Sequence, residues 1–334
     1  MSKVQHPIDA AQISTEYFQP WKIIKQPRMR AILKIEETAT DAIRRFLKSE
    51  GFIELLPPII GPATDPGIRG ARQVSFDYYG RMYKVMSSAI LYKQLAVSGL
   101  GRIFFFSPNI RLEPPGTIST KRHLAEFIQI DLEVAEIDYF EAMKIAEHLF
   151  SYTVDEVMDR CVAELELLGR RLRHYKPPFK KYSYDEILKI LWKHGRKTKY
   201  GMEISWEDEE FLSAIHEEPF FIYDYPKSAR GFYDREDESR PGILRDFDMI
   251  YPSGYGEAIS GGEREYKYER VVSRMLNSGE NPNNYEWYLE MLKDGVPPSA
   301  GFGIGIERLT RFLCGLETVW EARLCPKIPG IHTP

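Results

Sequence analysis

Cysteine is scarce in this chain, with three thiols in 334 residues: Cys161, Cys314 and Cys325. Neither their odd number nor their spacing suits a disulfide framework or a zinc site, so they read as ordinary buried thiols. Long apolar runs are missing too. No stretch approaches the roughly 18 residues that a membrane helix needs, and the opening MSKVQHPIDA lacks the apolar core of a secretory signal. A cytoplasmic protein with no membrane partner is therefore expected. Charge of one sign is also lacking, since 45 Lys and Arg stand against 49 Asp and Glu for a net charge of −4. That balance argues against a surface shaped throughout for nucleic acid. No strand-turn-helix glycine loop precedes the late glycine cluster, which excludes a Rossmann fingerprint there.

What is present is enough apolar material, 43% of residues, for one large core, with 28% charged residues for its surface. The most informative stretch runs from Phe104 to Glu133. Its first half, FFFSPNIRLE, reads as a strand with Arg111 and Glu113 two apart on one face. Its second half, FIQIDLEV, alternates: Ile128, Ile130, Leu132 and Val134 form a core face, and Phe127, Gln129, Asp131 and Glu133 a polar one. Between them PPGTISTKRH, ending in Arg122 and His123, reads as a basic loop able to close over an anion.

Elsewhere, Ile32, Ile35, Ala39, Ile43 and Phe46 recur at helical spacing and predict a helix over about Met29 to Lys48. The strand FIELLPP follows, and Pro57-Pro58 ends it at an edge or an interface. YKVMSSAILYKQLAVSGL reads as a strand entering a helix capped by Ser87 or Ser88, with Lys93 in its first turns. Residues 139–215 look like a helical insertion, and PFFIYDYP like a strand returning to the sheet. The basic stretch 170–199 reads as a solvated face and loop, because no aromatic stacking pattern accompanies it. Strand signals return around Asp248 and Glu257, where Gly261-Gly262 could form a bulge that brings Glu257 and Arg264 to one cavity. In VPPSAGFGIGIERLTRFLCG, Gly301, Gly303 and Gly305 leave one strand face bare for a flat ligand, and Arg308 opens the next helix.

Arg111-x-Glu113 with Arg122-His123-x-x-Glu126-Phe127 resembles motif 2 of the class II aminoacyl-tRNA synthetases in their aspartyl and asparaginyl branch. The helix, strand and prolines at the start resemble motif 1, and the late glycine strand with Arg308 resembles motif 3. The resemblance implies an α+β fold, a class II synthetase-like antiparallel sheet flanked by helices, as a single domain over 1–334 and a homodimer. It also implies ATP and Mg2+: ATP held by Arg111, Glu113, Arg122, His123, Phe127 and Arg308, with Arg111 and Arg308 catalytic, and magnesium held by Asp248 and Glu257. Asp65, Lys93, Asp131, Ser260 and Arg264 are the implied amino-acid contacts.

The wording is nearest to archaeal asparaginyl-tRNA synthetases, but Lys93 and Asp131 resemble the aspartyl branch. About 28 residues precede the first helix, too few for a five-stranded anticodon-binding barrel. A core of that kind resembles the ammonia-dependent asparagine synthetases related to these enzymes. The implied reaction makes asparagine from aspartate and ammonia through a β-aspartyl-adenylate, with tRNA binding not expected. The alternative is a truncated synthetase paralogue that transfers an amino acid to a tRNA or another acceptor.

Overall fold

The computed structural model describes residues 15–65 and 70–334. Helices α1 (Pro20–Ile23) and α2 (Pro27–Ser49) come first. Proline suits both starts, because the first turn of a helix leaves its N–H groups unused. In α2 the residues Ile32, Ile35, Ala39, Ile43 and Leu47 bury one stripe, so the spacing of the sequence becomes a packing face. Gly51, at φ 79°, turns the chain out of the helix.

Strand β1 (Ile53–Leu55) pairs in parallel with β5 (Arg102–Ile110) and forms one edge of the main sheet, where Pro57 and Pro58 forbid a longer ladder. The short strands β2 (Ile60–Gly61), β3 (Ser75–Tyr78) and β4 (Arg81–Val85) make a separate three-stranded sheet ahead of α3 (Ile90–Leu100). Ser88 Oγ accepts the N–H of Ile90 at 3.3 Å and so occupies the helix start.

The main sheet adds β6 (Glu126–Ala135), β7 (Lys180–Ser183), β8 (Phe220–Tyr223), β9 (Asp246–Tyr251), β10 (Gly256–Glu263) and β11 (Ser299–Gly305). Its order is β1-β5-β6-β11-β10-β9-β8-β7. The fold is α+β as the resemblance implies, with an antiparallel centre, but both edge pairs, β1 with β5 and β7 with β8, are parallel. The sheet is therefore mixed. Helix α4 (Tyr139–Arg160) packs on α2 and covers one face, joining Ile130, Leu132 and Val134 in a single core cluster. Helix α5 (Val162–Leu168) also lies on α2. Within 139–215, α4 thus belongs to the main core, whereas α6 (Tyr184–Lys193) and α7 (Trp206–Ala214) gather with β8 around a second cluster of Ile187, Leu191, Leu212 and Phe220. Helices α8 (Tyr268–Asn277) and α9 (Glu286–Asp294) form a third cluster with Phe232, and α10 (Ile306–Cys314) follows β11.

One detail departs from the sequence reading: Cys161 and Cys314 are buried, but Cys325 is exposed. Among the described residues no helix is long and apolar enough to cross a membrane, in line with the lack of long apolar runs.

The bare face expected of the three late glycines also divides. A side chain at Gly301 would collide with the Leu132 carbonyl and the Glu133 carboxylate, so glycine there makes room for the protein itself. Gly303 and Gly305 remain on the cavity side. Gly301→Ala should therefore destabilise the fold by roughly 1–3 kcal/mol or more, as overpacking does. Thermal melting of the two proteins checks this, and an unshifted melting temperature would disprove it.

Candidate active site

A cavity of about 870 Å³ opens on the sheet face opposite α4, and its wall carries most of the residues singled out from the sequence. The alternation of β6 builds its floor. Ile130, Leu132 and Val134 face the core, while Phe127, Gln129 and Asp131 face the cavity. The hairpin is shorter than the pattern suggested, since β5 ends at Ile110 and the connecting segment holds a 3-10 helix, Pro115–Thr120. Arg111 and Glu113 lie just past the strand and still line the cavity. The Arg111 N–H donates to Ala125 O at 2.8 Å, which carries the pairing one step beyond the ladder.

At the outer end the arginines are already engaged. Glu257 accepts from Arg308 at 3.1 Å and from Arg122 at 3.2 Å, and Arg122 also reaches Glu209 on α7 at 2.5 Å. Burial and then the neighbouring Arg122 charge lower the pKa of Arg308. His123 sits beside this cluster. Burial first, and the charges of Arg308 and Arg122 after it, push its pKa down to about 2, so the ring is neutral at physiological pH. Arg111 donates from Nε to Ser87 O at 2.9 Å, and its guanidinium carbon lies 5.1 Å from the centre of the Phe127 ring. That places a cation against the ring expected to meet a purine.

At the inner end, Lys93 is buried rather than solvated. Its ammonium lies 3.1 Å from Asp131 and 3.9 Å from Glu133. Arg264 donates to Glu133 at 3.1 Å and to Asp234 at 3.3 Å, and its other nitrogen bonds Gly301 O at 3.0 Å. Burial acts to lower the Arg264 pKa, but Glu133 and Asp234 outweigh it, and the net shift is upward. Two cations therefore meet three carboxylates. Lys93, Asp131 and Arg264, all implied as amino-acid contacts, thus meet in one cluster, to which the structure adds Glu133 and Asp234.

Glu257 and Arg264 do face one cavity, but through a different irregularity from the one expected. The register of β10 on β9 shifts between Glu257 and Ile259, so the extra residue is Ala258, whereas Gly261 and Gly262 pair regularly. One inserted residue reverses the parity of the strand and returns Glu257 to the side of Ser260 and Arg264.

Asp248 stands apart from Glu257. It is buried, pairs with Arg230 at 2.5 Å and is not part of the cavity wall. Among the described residues no group of three His, Cys, Asp or Glu forms a metal cage. Magnesium nonetheless suits Glu257, because this ion commonly takes one or two carboxylates and fills its remaining positions with phosphate oxygens and water. Asp65 lies on the wall with Ser260.

Sequence reasoning missed Arg230, Glu209 and Asp234. Arg230 is the centre of a cluster with Asp248, with Glu203 at 3.2 Å and with Asp246 at 3.2 Å, and it lies 3.9 Å over the Tyr225 ring. Burial raises Asp246 to about 8 against the pull of Arg230. The only signal for Arg230 and Asp234 is the density of charge in RGFYDREDESRPG, which by itself reads as no more than a charged loop.

The inner cluster allows a direct test. Lys93→Met leaves Asp131 without its buried partner, and losing one member of such a pair costs about 3–5 kcal/mol. Urea unfolding should show that loss at pH 7, and an unchanged midpoint would mean that Asp131 is satisfied without Lys93.

Residues 13–329 match the family of "tRNA synthetases class II (D, K and N)". The asparagine–tRNA ligase of Pyrococcus abyssi is 36% identical over 310 residues, which is 92% of this chain and 70% of the relative. The aspartate–tRNA(Asp/Asn) ligase of Methanopyrus kandleri is 35% identical over 309 residues, covering 91% and 69%. The solved asparaginyl-tRNA synthetase of Pyrococcus horikoshii, complexed with asparaginyl-adenylate, superposes with a TM-score of 0.89 at 33% identity, over 100% of this chain and 77% of that one. Relatives this similar are named as tRNA ligases, which overturns the expectation that tRNA binding is absent. With motif residues from three strands and two helices gathered on one cavity, and with matches over nearly the whole chain, the protein belongs to the class II tRNA synthetase family of the D, K and N type.

Proposed function

We propose that this chain activates asparagine or aspartate with ATP as an aminoacyl-adenylate and passes it to a tRNA or another acceptor. The observation that carries this reading is one cavity with two chemically different ends. Arg111, Arg122 and Arg308 gather at one, and the buried Lys93, Asp131, Arg264 and Asp234 set at the other. The first suits a polyphosphate, since guanidinium forks match phosphate oxygens. The second suits a small zwitterion, with carboxylates for its ammonium and cations for its carboxylate. The relatives named above support the same reading.

In the reaction, a substrate carboxylate oxygen attacks the α-phosphorus and pyrophosphate leaves; the acceptor then attacks the carbonyl and AMP leaves. Arg111 and Arg308 hold phosphate oxygens and stabilise the charge that builds on them, while Lys93 and Arg264 fix the amino acid in line. Glu257 would hold magnesium, which when bound supplies charge neutralisation on the phosphates. His123, neutral at working pH, serves as a hydrogen-bonding group without adding charge. The inner charge count favours asparagine, because an additional substrate carboxylate would need a cation that is already matched.

A second reading is amidation of aspartate, in which ammonia attacks a β-aspartyl-adenylate, loses a proton and displaces AMP. Lys93 on the cavity wall favours it, as an ammonium able to exchange Asp131 for a substrate carboxylate. Purified protein with ATP and either amino acid separates the readings. The first expects amino-acid-dependent pyrophosphate exchange and charging of a tRNA transcript, and the second expects free asparagine from aspartate and ammonium without tRNA. Arg308→Ala should lower exchange at least 100-fold, the scale of losing one transition-state charge contact; full exchange in that variant would remove Arg308 from the site.

A homodimer belongs to the same proposal. The β1 edge leaves Leu56 95% exposed and Ile59 57% exposed, an apolar rim that a second copy would cover. Light scattering at micromolar concentration should give about twice the chain mass of 38.8 kDa. An active monomer would exclude it.

A further inference from the structure

We propose that Arg323, in the segment that follows α10, is a positioning residue for the nucleotide. It keeps the buried carboxylate of Glu307 neutralised and aligned, and Glu307 in turn fixes the strand end that carries Phe127 to the helix that carries Arg308. This deepens the reading that Phe127 and Arg308 hold ATP, and rests on it.

The need for such a clamp begins in the sheet. The pairing of β11 with β6 ends at Gly305 opposite Gln129, because the chain then turns into α10. Ile128, the next residue toward the start of β6, therefore has no β11 residue opposite it. Glu307 takes that place with its side chain, accepting the Ile128 N–H at 3.0 Å through Oε1 and at 3.2 Å through Oε2. The carboxylate thus continues the ladder by one step. It does so between Phe127, the neighbour of Ile128, and Arg308, its own neighbour, so displacing it moves two walls of the nucleotide site relative to each other.

A carboxylate only 2% exposed needs a counter-charge to stay ionised. Arg323 supplies it: Nε donates to Glu307 Oε1 at 2.7 Å, and Nη2 pairs with the same oxygen. Burial raises the pKa of Glu307, and Arg323 opposes that rise. Glu307 also lines the cavity, so without Arg323 its charge would repel the phosphates that Arg308 is placed to bind.

Arg323 is itself held in place. Its Nη1 lies 3.8 Å from Glu36 on α2, and Thr310 Oγ1 donates to the same glutamate at 3.4 Å. On either side of Arg323 the segment bonds the connection between β5 and β6. The Val319 N–H donates to Lys121 O at 2.9 Å, and Lys327 O accepts from the Ala125 N–H at 2.7 Å. Val319, Trp320 and Ile328 pack with Ile118 and Leu124, and Phe127 lies against this cluster. One strap from outside the three motifs therefore backs the Phe127 ring and carries the guanidinium that balances Glu307.

Calorimetric titration with Mg-ATP tests this, with pyrophosphate exchange giving the KM for ATP and for the amino acid separately. Arg323→Met should weaken Mg-ATP binding at least about 10-fold, as expected when a buried charge is left unpaired, and should raise the KM for ATP without changing that for the amino acid. Arg323→Lys should recover most of the loss, because an ammonium still neutralises Glu307. Arg323→Met/Glu307→Gln should recover it too, since the charge is gone and the amide oxygen still accepts from Ile128, whereas Arg323→Met/Glu307→Ala should not. Wild-type affinity in Arg323→Met overturns the inference, as does a joint rise of both KM values. Equal affinities in the two double variants overturn it as well, and that comparison decides the matter if Arg323→Met alone does not fold. A wild type that binds no Mg-ATP brings down the proposed function together with this inference, whereas a wild type that binds and exchanges beside an unaffected Arg323→Met removes only the role of Arg323.

Discussion

A carboxylate with no exposure at all, that of Glu133, sets the terms for the inner half of this site. A charge removed from water at that depth survives only with partners. Arg264 donates to it, Ser299 Oγ donates to it at 2.9 Å, and Lys93 stands 3.9 Å away. These partners come from β11, from the end of β10 and from α3, so satisfying one side chain fixes three elements relative to β6. The space for the carboxylate exists because residue 301 has no side chain. Asp234 and Asp131 then take the remaining capacity of Arg264 and Lys93. The substrate end of the cavity is thus assembled before any substrate arrives, the preorganisation that transition-state stabilisation depends on.

This dependence explains what was legible in the sequence. Anything carried by a local period could be read: the α2 stripe, the alternation of β6 and the stop at Pro57-Pro58 all survive in the structure. The residues of motif 2 and motif 3 could be placed on one cavity because each lies within or next to a strand whose register is fixed by its core face. Partnership was legible only where the resemblance put both members in one pocket: Lys93 on an isolated helix looks solvated, and the resemblance alone places it with Asp131, 38 positions later on another strand, which is where the structure has it, whereas the pairing of Arg264 with Glu133 and Asp234 left no such mark.

The same limit applies to the two acids expected to share a metal. Asp248 and Glu257 sit on neighbouring strands, but Arg230 from a distant charged loop claims the first, and Arg122 with Arg308 claims the second. Nor did the glycines announce their roles. Gly261-Gly262 looked like the bulge and pairs regularly, whereas Ala258, with nothing unusual in its chemistry, carries the irregularity. A bulge is decided by the parity of the residues on either side, and that parity is a property of the folded ladder.

Charge balance links the two ends of the cavity. Around the outer end, Arg111, Arg122 and Arg308 face Glu113, Glu209 and Glu257, and His123 adds nothing because it is neutral. The arginines can turn to a triphosphate only if their carboxylates find other cations, since an abandoned carboxylate in a half-buried site costs more than the new contact returns. Glu209 lies on α7, next to the segment that forms the cavity rim, so its release would be felt in that helix. Glu257 lies on the strand beside the expected phosphate position, and once released by Arg122 and Arg308 it is the oxygen donor that a divalent cation on a nucleotide accepts. Under the proposed reading, a nucleotide that arrives paired with such a cation would give Glu257 a new partner as the arginines turn to the phosphates, whereas a bare triphosphate would offer it no cation in exchange.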